Sequence, residues 1–115
     1  MAHVDVNNDT MTLVLTRTEI IFALHRSPQA RVTDIVEITA YPNLWLAPEI
    51  HGFRAPGTGI PWVVALGTWR MRHSKNFCAV YKKNPGFVIS FREGEFASWV
   101  FTAPEIPSEL HRFLS

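Results

Sequence analysis

Cysteine is nearly missing from this chain. Cys78 is the only one in 115 residues, so no internal disulfide can form and nothing argues for an oxidising compartment. An excess of charge of one sign is missing too: 11 Lys and Arg stand against 10 Asp and Glu, a formal net charge of +1. That removes any general electrostatic pull toward nucleic acid or an anionic membrane. No apolar run approaches the roughly 20 residues needed to cross a bilayer. Met1–Asp9 has neither the basic nor the apolar stretch of a secretory signal. The expectation is a cytoplasmic protein with no nucleic-acid partner and no membrane partner. The five histidines show no HxH or HExxH spacing, so neither a metal nor a cofactor is expected. Gly57-Thr58-Gly59 lacks the Lys-Ser/Thr ending and the following helix of a phosphate loop. These glycines are expected to serve turns that need positive φ.

What remains is an ordinary globular composition, 47% hydrophobic and 18% charged, of a length that suits one domain with one modest core. The polar, Asn/Asp-rich residues 1–10 read as a flexible lead-in, and 11–115 as a single domain. Met11–Thr16 reads as a strand. Glu19–Leu24 is compatible with another, although it is too short for its periodicity to exclude a helix. His25–Ala30 is turn-like. Val36, Ile38 and Ala40 alternate with Glu37 and Thr39. From Tyr41 to about Gly59 the pattern stops, in an unusually long connection rich in Pro and Gly. It carries Leu44, Trp45, Leu46, Ile50 and Phe53, so it is expected to fold over the body of the domain. Strands are expected over 60–71, 76–82, 86–92 and 97–102, with a helix opened by Pro107 that sets Leu110, Phe113 and Leu114 on one face. The pattern describes a mainly β fold, a small, partly open barrel or sandwich of six or seven strands with one C-terminal helix over an open end.

The stretch Ala55-Pro-Gly-Thr-Gly-Ile-Pro61, followed by Leu66-Gly-Thr-Trp-Arg70, resembles the bacterial pleckstrin-homology-like domain proteins of actinobacteria. Looser matches are Leu15-Thr-Arg-Thr-Glu19, Phe77-Cys-Ala-Val80, Gly86-Phe-Val-Ile89 and Pro107-Ser-Glu-Leu110. The resemblance covers most of 11–114 and implies a barrel of about seven strands capped by a C-terminal helix, without implying an activity. The chain departs from the pattern at Trp62, where the resemblance sets a glycine, at His73-Ser74 in place of a glycine pair, and at Arg26–Ala30 in place of a tighter turn. Such departures retune a ligand site or reflect drift on a tolerant surface.

Candidate functional residues fall into two groups. Arg70 and Arg72, with His73 and Lys75 beside them, form the densest basic patch and suit a phosphate or carboxylate, or simply a solvated strand end. Trp45 and Trp62 bracket the long connection and, with Arg54, could wall an apolar pocket. Trp69 and Trp99 read as core. His51 beside Glu49 is a candidate acid–base pair, and Tyr41 could orient a substrate oxygen or anchor the connection. Cys78, within Phe77-Cys-Ala-Val80, reads as a buried, inert thiol. Two functions stay open. One is a binding module for a protein partner, a second copy of the chain (a homodimer) or a small hydrophobic molecule. The other is a small cofactor-independent pocket enzyme of the isomerase, cyclase or lyase type, with a barrel end lined by Tyr41, Trp45, His51, Arg54, Trp62 and Arg70, working by proton transfer and substrate orientation on a hydrophobic metabolite.

Overall fold

A computed structural model describes residues 2–51, 53–60, 62–71 and 74–115, with the side chains of 51 and 53–56 outside the description. The described residues form nine strands in two sheets, one short α-helix and four 3-10 turns. The small sheet holds β1 (His3–Asn7), β2 (Thr10–Val14) and β3 (Gln29–Arg31) in that order. The large sheet has six strands. They are β4 (Ile35–Tyr41), β5 (Phe53–Ile60), β6 (Val64–Arg70), β7 (Lys75–Tyr81), β8 (Gly86–Phe91) and β9 (Ser98–Thr102), in the order β4-β8-β9-β7-β6-β5. All its pairs are antiparallel except β7 with β9. Among the described residues no ladder joins the two sheets into a closed barrel.

The expected lead-in is where the sequence reading first departs from the structure. His3–Asn7 is a strand, turned back onto β2 by Asn8 and Asp9. Asn8 sits at φ 59°, a conformation a two-residue hairpin loop requires and asparagine tolerates. The run Glu19–Leu24, whose pattern is compatible with a strand and does not exclude a helix, is helical: it falls in α1 (Arg17–Ala23) and its cap. Thr16 and Glu19 form a reciprocal capping box: the Glu19 amide donates to Thr16 Oγ1 and the Thr16 amide to Glu19 Oε1. That arrangement nucleates a helix where the apolar pattern alone is ambiguous. Leu24 ends the helix in the left-handed region at φ 55°. The long connection is shorter than expected, because β5 lies inside it. Gly57 of β5 faces Gly67 of β6 beside a bulge, and a Cβ on Gly57 would overlap the Leu66 carbonyl oxygen. The glycine therefore serves close strand approach rather than a tight turn. The C-terminal turn after Pro107 is 3-10, over Ser108–Phe113. Its end runs along the outer edge of β4, where Leu114 bridges Ile38.

Alternation along the central strands sends side chains to opposite faces. Phe77, Ala79, Ile89, Trp99 and Phe101 join one apolar cluster with β1, β2, α1 and the C-terminal turn. Cys78, Val80, Val88 and Val100 join a second with Ala65 and Trp69, covered by Leu44, Trp45, Ala47 and Ile50 from the 42–51 connection. Three-layered packing follows, with the large sheet in the middle.

Glu19 ties the layers at one end. It is only 2% exposed, and its carboxylate accepts from the Thr16 and Ala2 amides and the Tyr81 hydroxyl. Burial, then the hydrogen bond to Glu19 and its negative charge, push the Tyr81 phenol above its ordinary value of 10.0. A raised phenol binds its proton more tightly when folded, so its contribution is complete below pH 10 and is lost as pH rises further. Tyr81→Phe should lower stability by about 1–2 kcal/mol at neutral pH and flatten the alkaline fall. Urea unfolding across pH 7–11 checks both, and equal alkaline slopes in the two proteins would remove Tyr81 from this role.

Candidate functional site

Strand polarity decides which candidates meet. Val64, Tyr81, Gly86, Thr102 and Tyr41 lie toward one end of the large sheet, and Arg70, Lys75, Ser98, Phe91 and Ile35 toward the other. Trp62, in the turn before β6, is separated from Arg70 by the length of that strand, about 20 Å at roughly 3.3 Å per residue. The pocket expected from Tyr41, Trp45, His51, Arg54, Trp62 and Arg70 therefore does not assemble around Trp62 and Arg70 together. Arg54 lies in β5 opposite Trp69, toward the Arg70 end, with its side chain and that of His51 outside the description. Arg72 and His73 lie outside the described residues.

At the Tyr41 end Leu44, Trp45, Ala47 and Ile50 of the 42–51 connection pack against the sheet. Trp45 is buried, and its Nε1 donates to the Lys82 carbonyl at 2.7 Å. Asn76 Nδ2 donates to the Glu49 carbonyl at 3.3 Å, holding the far end of the connection down. Trp62 is half exposed, with its ring 5.7 Å from that of Trp45 and 5.2 Å from Lys83 Nζ. Its φ is 67°, in a turn closed by the Val63 amide on the Ile60 carbonyl. Glycine adopts that conformation without steric cost, a physical reason to expect glycine at this position. Burial, then Glu49 and Glu37, raise the Tyr41 phenol above its ordinary value. Burial, then Glu49, push the Cys78 thiol up, and with no exposed surface it is no nucleophile. Among the described residues Glu49 Oε1 is buried without a hydrogen-bond partner.

The cavities lie elsewhere. A cleft of about 510 Å³ opens at the Arg70 end, lined by Arg70, Met71, Lys75, Phe91, Arg92 and Phe96 among others. Its volume falls in the range of small-molecule sites. The β8–β9 connection forms one wall, closed at its base by the Phe91 amide on the Ala97 carbonyl at 2.9 Å. Two further cavities adjoin the same connection. One of about 680 Å³ lies against Leu24–Gln29, and one of about 180 Å³ lies between β3 and the connection, over Trp99. Glu95 lines all three. Its Oε2 stands 3.2 Å from His25 Nε2 and 3.7 Å from Lys75 Nζ. Arg70 and Lys75 of the expected basic patch thus reach a described cavity. Sequence reasoning missed Phe91, Arg92, Glu95, Phe96 and His25. The strands expected over 86–92 and 97–102 imply a connection between them, but no local pattern encodes its neighbours across the sheet.

No protein-family model, curated protein or solved structure matches the chain. Among the described residues no helix is long and apolar enough to cross a membrane.

The two tryptophans should separate on mutation. Trp45→Ala removes a buried ring and its hydrogen bond and should cost about 3–5 kcal/mol. Trp62→Gly loses an exposed ring contact but relieves a left-handed backbone, leaving stability within about 1 kcal/mol of the parent. Equilibrium urea unfolding of the two variants makes the comparison, and a Trp62→Gly loss as large as that of Trp45→Ala would contradict it.

Proposed function

We propose that the chain is a pleckstrin-homology-like binding module whose cleft takes a small hydrophobic molecule bearing a carboxylate. One observation carries the reading. Arg70, Lys75 and Arg92 stand around a cleft whose other walls include Met71, Phe91 and Phe96. The guanidinium groups offer paired donors shaped for a carboxylate, and the aromatic and thioether side chains suit an apolar body. The resemblance to the actinobacterial proteins supports the module without naming a ligand, since a fold does not name a function. The reading includes a cytoplasmic location, on the strength of the lone free thiol at Cys78.

The pocket-enzyme alternative rests on Tyr41, Glu49 and His51. None of the three described cavities is lined by Tyr41 or Glu49. The raised Tyr41 phenol follows from burial and two nearby carboxylates without any substrate. The binding reading therefore has the stronger support.

Hydrocinnamate and its neutral amide test it. Calorimetric titration should show binding of the acid, with the amide at least about tenfold weaker, since a charge-assisted hydrogen bond contributes about 1.5–3 kcal/mol and tenfold is about 1.4 kcal/mol. Arg92→Ala should weaken the acid by about tenfold and leave the amide unchanged. A cleft that takes neither molecule, or takes both equally well, overturns the proposal.

A further inference from the structure

Glu95 is held unlike the other acids of the cleft. A single oxygen, Oε2, receives both His25 Nε2 at 3.2 Å and Lys75 Nζ at 3.7 Å. Both partners are braced. His25 Nδ1 lies 2.6 Å from the Arg26 carbonyl oxygen, which holds the ring in place. The His25 ring centroid is 5.2 Å from those of Phe77 and Phe96, and Lys75 Nζ is 5.2 Å from the Phe96 centroid. Two donors backed by aromatic rings thus converge on one point beside a cavity.

The group at that point is weakly held. The Glu95 side chain is 51% exposed, and exposed ion pairs are weak. It sits on a connection with Gly94 at φ 117°, where a Cβ would meet nothing within 4 Å. The space beside Gly94 is therefore open. Glu95 is also the shared wall of the three cavities.

We propose, resting on the reading of the cleft as a carboxylate site, that Glu95 is the site's internal occupant. The ligand's carboxylate replaces Glu95 Oε2 on Lys75 and His25, and the freed side chain turns outward with the Gly94 turn. Glu95 then determines selectivity as well as affinity. A neutral analogue leaves the internal pair in place, whereas an anion exchanges one ion pair for another. Its departure also removes the wall between the cleft and the cavity bounded by Leu24–Gln29, giving room for an apolar body longer than the cleft itself.

Calorimetric titration with hydrocinnamate on four proteins tests this: the parent, Glu95→Gln, Glu93→Gln, and Glu95→Gln combined with Lys75→Met. Glu93 lines the same cleft and makes no ion pair among the described residues, so it reports the general effect of removing one negative charge. Displacement requires Glu95→Gln to bind about tenfold tighter and Glu93→Gln to change by less than about twofold, with the Glu95→Gln gain lost once Lys75 is replaced. Binding by the parent with equal gains from the two single variants, or none from Glu95→Gln, overturns the internal occupant and leaves the carboxylate cleft standing. Absence of binding in all four overturns both readings. Thermal unfolding midpoints of the variants within a few degrees of the parent's establish that the comparison is made on folded protein.

Discussion

The architecture depends on β7 and β9 being buried on both faces. From Asn76 to Val80 and from Ser98 to Thr102 every residue is buried, so the middle of the large sheet has no face it can give to water. Antiparallel sheets often leave one face wet, and parallel pairs are usually covered on both sides; the single parallel pair here follows the second rule. Two covers are needed. The small sheet with α1 supplies one, and the 42–51 connection supplies the other. The polar groups on the buried strands are satisfied within or between layers. Ser98 Oγ donates to Asn76 Oδ1 at 2.7 Å, Asn76 donates onward to the connection, and Thr102 Oγ1 accepts from the Tyr81 amide at 2.9 Å. An unpaired group at these depths would cost about 1–3 kcal/mol, so the sequence can place Asn and Ser there only with these partners.

That constraint explains which parts of the fold were legible. The alternating runs at 11–14, 35–41, 76–81, 86–91 and 98–102 announce themselves because each strand carries its own apolar rows. Glu19–Leu24 is as apolar as a strand, and its helical state is set by Thr16 and Glu19 at the capping positions, a local signal that outweighs the apolar count. β5 is illegible for the opposite reason. Its Ala-Pro-Gly-Thr-Gly segment has little strand preference, and it is extended because β6 pairs with it across facing glycines. Propensity is weak evidence wherever tertiary pairing supplies the energy.

The same logic separates the candidate residues. Of the apolar residues in the connection from Tyr41 to about Gly59, Leu44, Trp45 and Ile50 pack onto the sheet, Leu46 is exposed, and the Phe53 side chain lies outside the described residues. Leu44, Trp45, Ala47 and Ile50 are spent on burial. Arg70, a basic candidate that reaches a cavity, was chosen for its chemistry. Its partners across the cleft come from β8 and the β8–β9 connection. The sheet order β4-β8-β9-β7-β6-β5 brings them close, and no local sequence signal encodes that order.

Where the two covers end, a seam is left. The small sheet stops at β3, three residues long, and the β8–β9 connection rises beside it without pairing to it. The cavities lie along this seam, and Glu95 stands where they meet. A seam between layers is a natural place for a site. Part of its lining, Phe96 and Trp99, belongs to the core, and part, Arg92, Glu93 and Glu95, is charged and exposed on the connection. The same layers that cover β7 and β9 on both faces thus also bound the cleft at the Arg70 end of the sheet.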